Sequence, residues 1–314
     1  MEAILRFPVN VRYAMGIVIA LLVIATLVYL ILKTSRHERD YTELWLRIRS
    51  WWLMIGALFV AFALERTGTI VFVALLSYLA LKEFFSIVPT RQVDRRAIFW
   101  GYLTIPFQYY WVDMGWYGMF IIFIPVYAFL FIPMRLLLTG ETRGFIRAAG
   151  TLHWGVMLAV FSLSHLAYLL ALPEHVNPAG GGVGLVLYLL FLTQFNDVAQ
   201  YVWGKTLGRR KVAPNISPNK TWGGLIGGVL TTVALGAALA TWLTPLSSLQ
   251  GLLAGALIGV AGFFGDLTMS AVKRDLQIKD TSNLIPGHGG ILDRLDSLTF
   301  TAPLFFHYLY YTHY

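Results

Sequence analysis

The sequence predicts an all-α polytopic membrane protein of about ten transmembrane helices, and three observations carry that expectation. Of its 314 residues, 57% are apolar and only 13% charged, whereas a soluble domain carries about a quarter of its residues as charge. Apolar stretches recur at about 14–32, 51–64, 68–81, 98–112, 115–138, 151–172, 182–203, 223–244, 248–268 and 298–312. A bilayer-crossing helix takes roughly 20 apolar residues, so ten spans with short connectors use the whole chain. The basic residues are also sorted by loop. Lys33 to Arg49 fall in the first loop, Lys82 to Arg96 in the third, Arg135 to Arg147 in the fifth, Lys205 to Lys220 in the seventh and Lys273 to Arg294 in the ninth. Of the 24 Lys and Arg residues, only Arg6, Arg12 and Arg66 lie elsewhere. By the positive-inside rule the odd-numbered loops are cytoplasmic and both termini lie on the other side.

Each stretch has its own justification. The first is about as long as a full span and ends in Lys33 without a small-residue cleavage site, so it reads as a span and not a cleavable leader. The second to fourth are short and bounded by charge, at Arg49, Arg66, Lys82, Arg96 and Asp113. The fifth reaches Arg135. The sixth holds His153 and His165 without an acidic neighbour at metal-ligand spacing, which points to bundle-facing hydrogen bonds. Pro173–Gly184 is a plain connector. The seventh stretch carries Asn196-Asp197, and the eighth opens on Gly223/Gly227 and Gly224/Gly228, small pairs that suit close helix packing. The ninth ends beside Asp266, and the tenth closes the chain.

The absence of cysteine excludes disulfides, thiolate metal sites and cysteine nucleophiles. The net charge of +8, once located in alternate loops, reads as topology and not as nucleic-acid binding. No tandem repeat or low-complexity tract is present. A single membrane domain over 1–314 is expected, with 1–195 mainly scaffold and 196–314 the catalytic third. Six of the sixteen acidic residues lie in that third, all near odd-loop helix ends.

Chemistry concentrates in the segment from Ser270 to Asp296. Asp266, Asp293 and Asp296 offer hard oxygen ligands of the kind that suits Mg²⁺ and not zinc. Asp293 and Asp296, three apart, share a helix face. Pro286-Gly287-His288-Gly289-Gly290 lets backbone N–H groups, those of Gly289 and Gly290 among them, approach a ligand at a helix start. Lys273, Arg274, Lys279 and Arg294 surround the same loop with positive charge. Carboxylates for a divalent cation plus such cations make a di- or triphosphate site. A second segment places Asp197 near the membrane boundary and Ser217, Lys220 and Thr221 just before the eighth span, where Lys220 can meet a phosphate as a point charge. Taken singly, a Lys or Arg here is a topology signal and a Gly-rich turn is a turn. Their co-occurrence is what points to a site.

The Ser270–Asp296 segment resembles the signature of the phosphatidate cytidylyltransferases (CDP-diacylglycerol synthases) at Ser270, Lys273-Arg274, Lys279-Asp280, Ser282, Pro286, His288-Gly289-Gly290, Asp293-Arg294 and Asp296. Ser217-Pro-Asn-Lys220-Thr221, and Asp197 with Tyr201, resemble two further blocks of that family. Gly223 departs from it, standing where many members carry Glu or Gln, and the Asn196–Tyr201 spacing also differs. The resemblance implies transfer of a cytidylyl group from CTP to phosphatidic acid in phospholipid biosynthesis, releasing pyrophosphate and forming CDP-diacylglycerol. It implies Mg²⁺ held by Asp266 and Asp293, with a second, monovalent cation (K⁺), in a homodimer of the bacterial inner (plasma) membrane. In that reading Lys220, Lys273, Arg274 and Arg294 neutralise phosphate charge. Asp197, His288 and Asp296 position substrate or take a proton, and Ser217, Thr221, Lys279, Gly289 and Gly290 bind it.

Three rivals share some of these features. One is CTP-dependent transfer to another lipid phosphate. The CDP-alcohol phosphatidyltransferases also use membrane aspartates, but their Asp-Gly-x-x-Ala-Arg signature is absent. An anion transporter commonly shows matching broken helices in two halves, whereas here the polar residues crowd one end.

Overall fold

A computed structural model describes residues 6–35 and 40–314; Arg36 and Arg39 of the first basic loop lie outside the described residues. Ten long helices account for the ten apolar stretches. They are α1 (Val9–Ser35), α2 (Thr42–Ala63), α3 (Glu65–Ile87), α4 (Arg95–Asp113), α5 (Tyr117–Leu137), α6 (Phe145–Ala171), α7 (Gly181–Leu207), α8 (Trp222–Leu243), α9 (Ser248–Asp275) and α10 (Leu298–His313). Eight are long and apolar enough to cross a membrane; α4, which carries Arg95, Arg96 and Asp113, and the 16-residue α10 fall outside that set. The protein is an all-α polytopic membrane protein.

Two helices are interrupted by a wider turn. In α5, Pro125 removes one N–H from the ladder and residues Phe123–Ala128 adopt π-helical bonding. Met157–Ser162 of α6 does the same without a proline. His165, in the next turn, is fully buried and donates from Nδ1 to its own helix at Phe161 O (2.8 Å). His153 packs against Phe129 instead, and its Nδ1 has no partner among the described residues.

Contacts sort the loops onto two ends of the bundle. At one end Ser50 Oγ donates to Pro286 O (2.7 Å), joining the first and ninth loops. Arg91 reaches Arg143 O, joining the third and fifth. Arg274 Nε donates to Ile216 O (3.3 Å), joining the ninth and seventh. At the other end Arg66 meets Asp113 O, Tyr168 Oη donates to Gly115 O (2.8 Å), Asn177 Nδ2 to Leu243 O (2.9 Å) and Asn10 Nδ2 to Trp242 O (2.9 Å). Ile291 N also donates to Glu83 (3.0 Å), joining the third loop to the ninth, and Tyr311 near the end of α10 bonds Tyr117 at the start of α5 (2.9 Å), so odd-numbered loops share one end and even-numbered loops the other.

The connection between α7 and α8 is a small antiparallel hairpin, β1 (Lys211–Ala213) and β2 (Ser217–Thr221), and Lys220 stands on its second strand. Behind it α7, α8 and α9 pack closely. A Cβ at Gly223 would meet Leu207 O at 2.8 Å, so the end of α7 leaves no room there for a Glu or Gln side chain.

Candidate active site

The C-terminal ends of α3, α7 and α9 meet β2, a single helical turn at Leu292–Leu295, and the start of α10. On α9, Asp266, Ser270 and Lys273 are spaced i, i+4, i+7 and so form one stripe. Ser270 Oγ donates to Asp266 Oδ1 (3.3 Å). Lys220, projecting from β2, places Nζ 2.6 Å from Asp266 Oδ2 and 4.6 Å from the centre of the Phe263 ring. On α7, the fully buried Asn196 fixes the helix's rotation. Its Nδ2 donates to Gly259 O and its Oδ1 accepts from Thr232, both at 3.1 Å. The next residue, Asp197, is thereby turned toward α10 and accepts from Ser297 Oγ (3.3 Å).

Asp293 is the most heavily bonded of the carboxylates predicted for the site. Lys273 Nζ donates to its Oδ1 (2.7 Å), while Thr281 N (2.8 Å), Thr281 Oγ1 (2.9 Å) and Gly290 N (3.1 Å) converge on Oδ2. Burial alone would raise its pKa, but the Lys273 bond and the two backbone N–H groups outweigh burial and hold it below the usual carboxylate range. Asp296 is the reverse. Its buried carboxyl accepts from the Ser297 N–H (2.7 Å), and burial together with the nearby Asp266 and Asp197 carboxylates pushes it well above the usual range against the pull of Arg294. Asp197, Asp266 and Asp296 thus crowd together with Lys220 and Arg294, three carboxylates against two cations.

Other residues singled out from sequence fall around this cluster. His288 packs edge-on against Trp51 (6.1 Å between ring centres); burial and the Arg294 charge keep its imidazole below its ordinary pKa. Gly289 has φ +81° and its carbonyl accepts from Ile285 N (2.8 Å), closing the turn. The Gly290 N–H is committed to Asp293 and does not face open space. Lys279 and Ser217 make no side-chain hydrogen bond or ion pair among the described residues, and Lys279 is exposed. Thr221 is buried, and its Oγ1 caps α8 by accepting from Gly224 N (3.1 Å). Thr221→Ala is therefore expected to cost about 1 kcal/mol of stability, the usual worth of such a cap. Thermal unfolding of the variant checks this.

Two residues carry roles that sequence reading leaves out. Glu83, at the end of α3, is buried and accepts from Thr281 Oγ1, Ser282 Oγ, Ile291 N and Leu292 N. Its only signal in the sequence is an acid just past the third apolar stretch. Arg91, which sequence reading takes as plain surface charge, donates from Nε (2.9 Å) and Nη2 (2.7 Å) to the buried Asp94.

The donor type of these carboxylates, oxygen, is the one a hard divalent cation takes. Among the described residues no three His, Asp or Glu side chains already stand at metal-ligand spacing. However, Asp266 and Asp293 each present an oxygen to a cation, an ammonium at 2.6 and 2.7 Å. The carboxylates of the cluster also outnumber its cations, and the donors are all oxygen, the set that Mg²⁺ takes.

A model of the cytidylyltransferase family matches residues 45–312, most of the chain and every residue of this cluster. The chain belongs to the cytidylyltransferase family. Over 292 residues it is 46% identical to YnbB of Escherichia coli (strain K12), covering 93% of this chain and 96% of that one. It is 48% identical over 118 residues to a phosphatidate cytidylyltransferase of Synechocystis sp., covering 36% of this chain and 39% of the relative. A phosphatidate cytidylyltransferase of Staphylococcus aureus (strain COL) is 33% identical over 193 residues, 60% of this chain and 74% of that protein. Against the Synechocystis relative the matched segment thus spans well under half the relative's length. In this cytidylyltransferase the family match also takes in Glu83, which lies outside the quoted signature.

Proposed function

We propose that the protein transfers the cytidylyl group of CTP to phosphatidic acid, forming CDP-diacylglycerol and pyrophosphate at the cytoplasmic surface of the bacterial inner membrane. The observation that carries this reading is the meeting of Asp197, Lys220, Asp266, Lys273, Asp293 and Asp296 at one end of a membrane bundle, in a chain of this family. A phosphate oxygen of the lipid attacks the α-phosphorus of CTP. A new P–O bond forms, the bond to the β-phosphate oxygen breaks, and pyrophosphate leaves. Lys220, Lys273, Arg274 and Arg294 hold and neutralise the phosphate oxygens, which is most of what phosphoryl chemistry asks of a protein. The second pKa of a phosphomonoester is about 6, so the attacking oxygen is largely ionised at pH 7 and needs no strong base. His288 and the carboxyls of Asp197 and Asp296 orient it, and His288 or Asp197 takes its residual proton.

Asp266 and Asp293 would hold Mg²⁺, with K⁺ as a second ion, and the metal would supply charge neutralisation on the phosphates. A homodimer is part of this proposal. A panel of acceptors tests the substrate: phosphatidic acid should take label from CTP at least tenfold faster than other lipid phosphomonoesters. A preference for another phosphomonoester would move the reading to a different lipid.

Orientation is tested separately. The chain has no native cysteine, so Glu174→Cys, in the exposed sixth loop, should react with an impermeant thiol reagent from outside intact cells. Asn283→Cys, exposed in the ninth loop, should react only after permeabilisation. The opposite pattern would put the cluster on the side without CTP.

A further inference from the structure

We propose that Glu83 is a positioning residue for the transfer, its carboxylate clamping both ends of the Thr281–Leu292 loop and, through Thr281, orienting Asp293. This rests on the cytidylyl-transfer reading. Glu83 comes from α3, some two hundred positions before the loop it holds. Its Oε1 accepts from Ser282 Oγ (2.6 Å) and Ile291 N (3.0 Å), its Oε2 from Leu292 N (2.8 Å) and Thr281 Oγ1 (3.2 Å). One carboxylate therefore ties residues 281–282 to residues 291–292 and closes the loop between them. The fit is tight, because a Cβ at Gly290 would lie 2.5 Å from Oε2.

The geometry requires an acceptor on both sides. Each oxygen of Glu83 faces a backbone N–H, and a backbone donor cannot turn round. A glutamine would set its NH₂ against Ile291 N or Leu292 N whichever way the amide was flipped. No Lys, Arg or His forms an ion pair with Glu83 among the described residues. The negative charge is held by N–H and O–H dipoles alone, those of Ile291 and Leu292 being unpaired donors at the start of a helical turn.

Thr281 links this clamp to the site. Its Oγ1 lies 3.2 Å from Glu83 Oε2 and 2.9 Å from Asp293 Oδ2, and a hydroxyl has one proton for the two acceptors. Asp293 in turn holds Lys273. The chain Glu83–Thr281–Asp293–Lys273 thus runs from a scaffold helix to the ammonium that the proposed function assigns to phosphate. Loss of the clamp should spoil orientation in the transition state more than the binding of CTP.

Steady-state kinetics of the full-length protein with CTP and phosphatidic acid, beside its thermal unfolding midpoint and CTP binding, test the proposal. Glu83→Gln is expected to lower kcat per folded molecule at least about tenfold, the size of one charge-assisted bond, with the Kd for CTP within about threefold. Thr281→Val should lower kcat in the same direction, and Thr281→Ser, which keeps the hydroxyl, should restore it. A merely structural Glu83 would leave activity tracking the folded fraction, and a Thr281 hydroxyl that passes nothing on to Asp293 would leave Thr281→Val indistinguishable from wild type. Either finding overturns the proposal. If Glu83→Gln does not fold, the two Thr281 variants decide. A wild-type protein that transfers no label from CTP would refute the proposed function itself, and the positioning role would fall with it.

Discussion

Asp266→Asn and Asp293→Asn are each expected to lower turnover at least about a hundredfold while the detergent-solubilised protein stays folded. Even groups behind a metal's ligands cost 10–100-fold when removed, roughly, so a ligand should reach the upper end. The structure separates the two variants by a second property. Asp266 is a third exposed on its side chain and, among the described residues, bonded only to Ser270 and Lys220, so its amide should leave the unfolding midpoint unchanged. Asp293 anchors Thr281 and Gly290 as well as Lys273. In its place an Asn that still accepted from those two N–H groups would turn NH₂ toward the Lys273 ammonium. A lowered midpoint is therefore expected for Asp293→Asn alone. Activity within a few-fold of wild type in either variant would remove that residue from the proposed metal site.

Lys273→Gln is expected to lower kcat/KM at least about tenfold, since a charge-assisted bond is worth roughly 1.5–3 kcal/mol and each 1.4 kcal/mol is about tenfold. The matching control is Arg95→Gln. Arg95 is exposed at the start of α4, and its side chain makes no hydrogen bond or ion pair among the described residues. Its loss should change kcat/KM less than about threefold. Arg91 cannot serve as that control, because its removal would strand the buried carboxylate of Asp94. Equal losses in Lys273→Gln and Arg95→Gln, at equal membrane insertion, would mean that both charges act through topology alone.

Much of the fold was legible because lipid imposes one condition, a long apolar run, on every span. The ninth stretch, 248–268, lies inside α9, and the alternation of basic loops matches the sorting of loop contacts onto two ends. What hydropathy could not read is polarity compensated inside the protein. The third stretch stops at 81, yet α3 continues to Ile87. The stretch ends at Lys82, and the acid beside it, Glu83, faces four donors and not lipid. Composition cannot distinguish such a residue from a charge at a membrane surface. The motif residues were legible as a set but not in their partners. Thr221 looks like a phosphate ligand in sequence and caps a helix in space, and the Gly290 N–H that could meet a phosphate meets Asp293. Such commitments depend on which loop folds over which helix end, and local spacing carries no trace of that.

The measurement that bears most directly on the central claim uses two labels. The purified protein is incubated with Mg²⁺, phosphatidic acid vesicles and CTP carrying phosphorus label at either the α or the γ position. In-line attack on the α-phosphorus predicts that the α label enters the lipid phase as CDP-diacylglycerol while the γ label is recovered in pyrophosphate, in equal amounts. Asp266→Asn should abolish both transfers together. Label from the γ position in the lipid, or release of pyrophosphate without a cytidylylated lipid, would contradict cytidylyl transfer at this site.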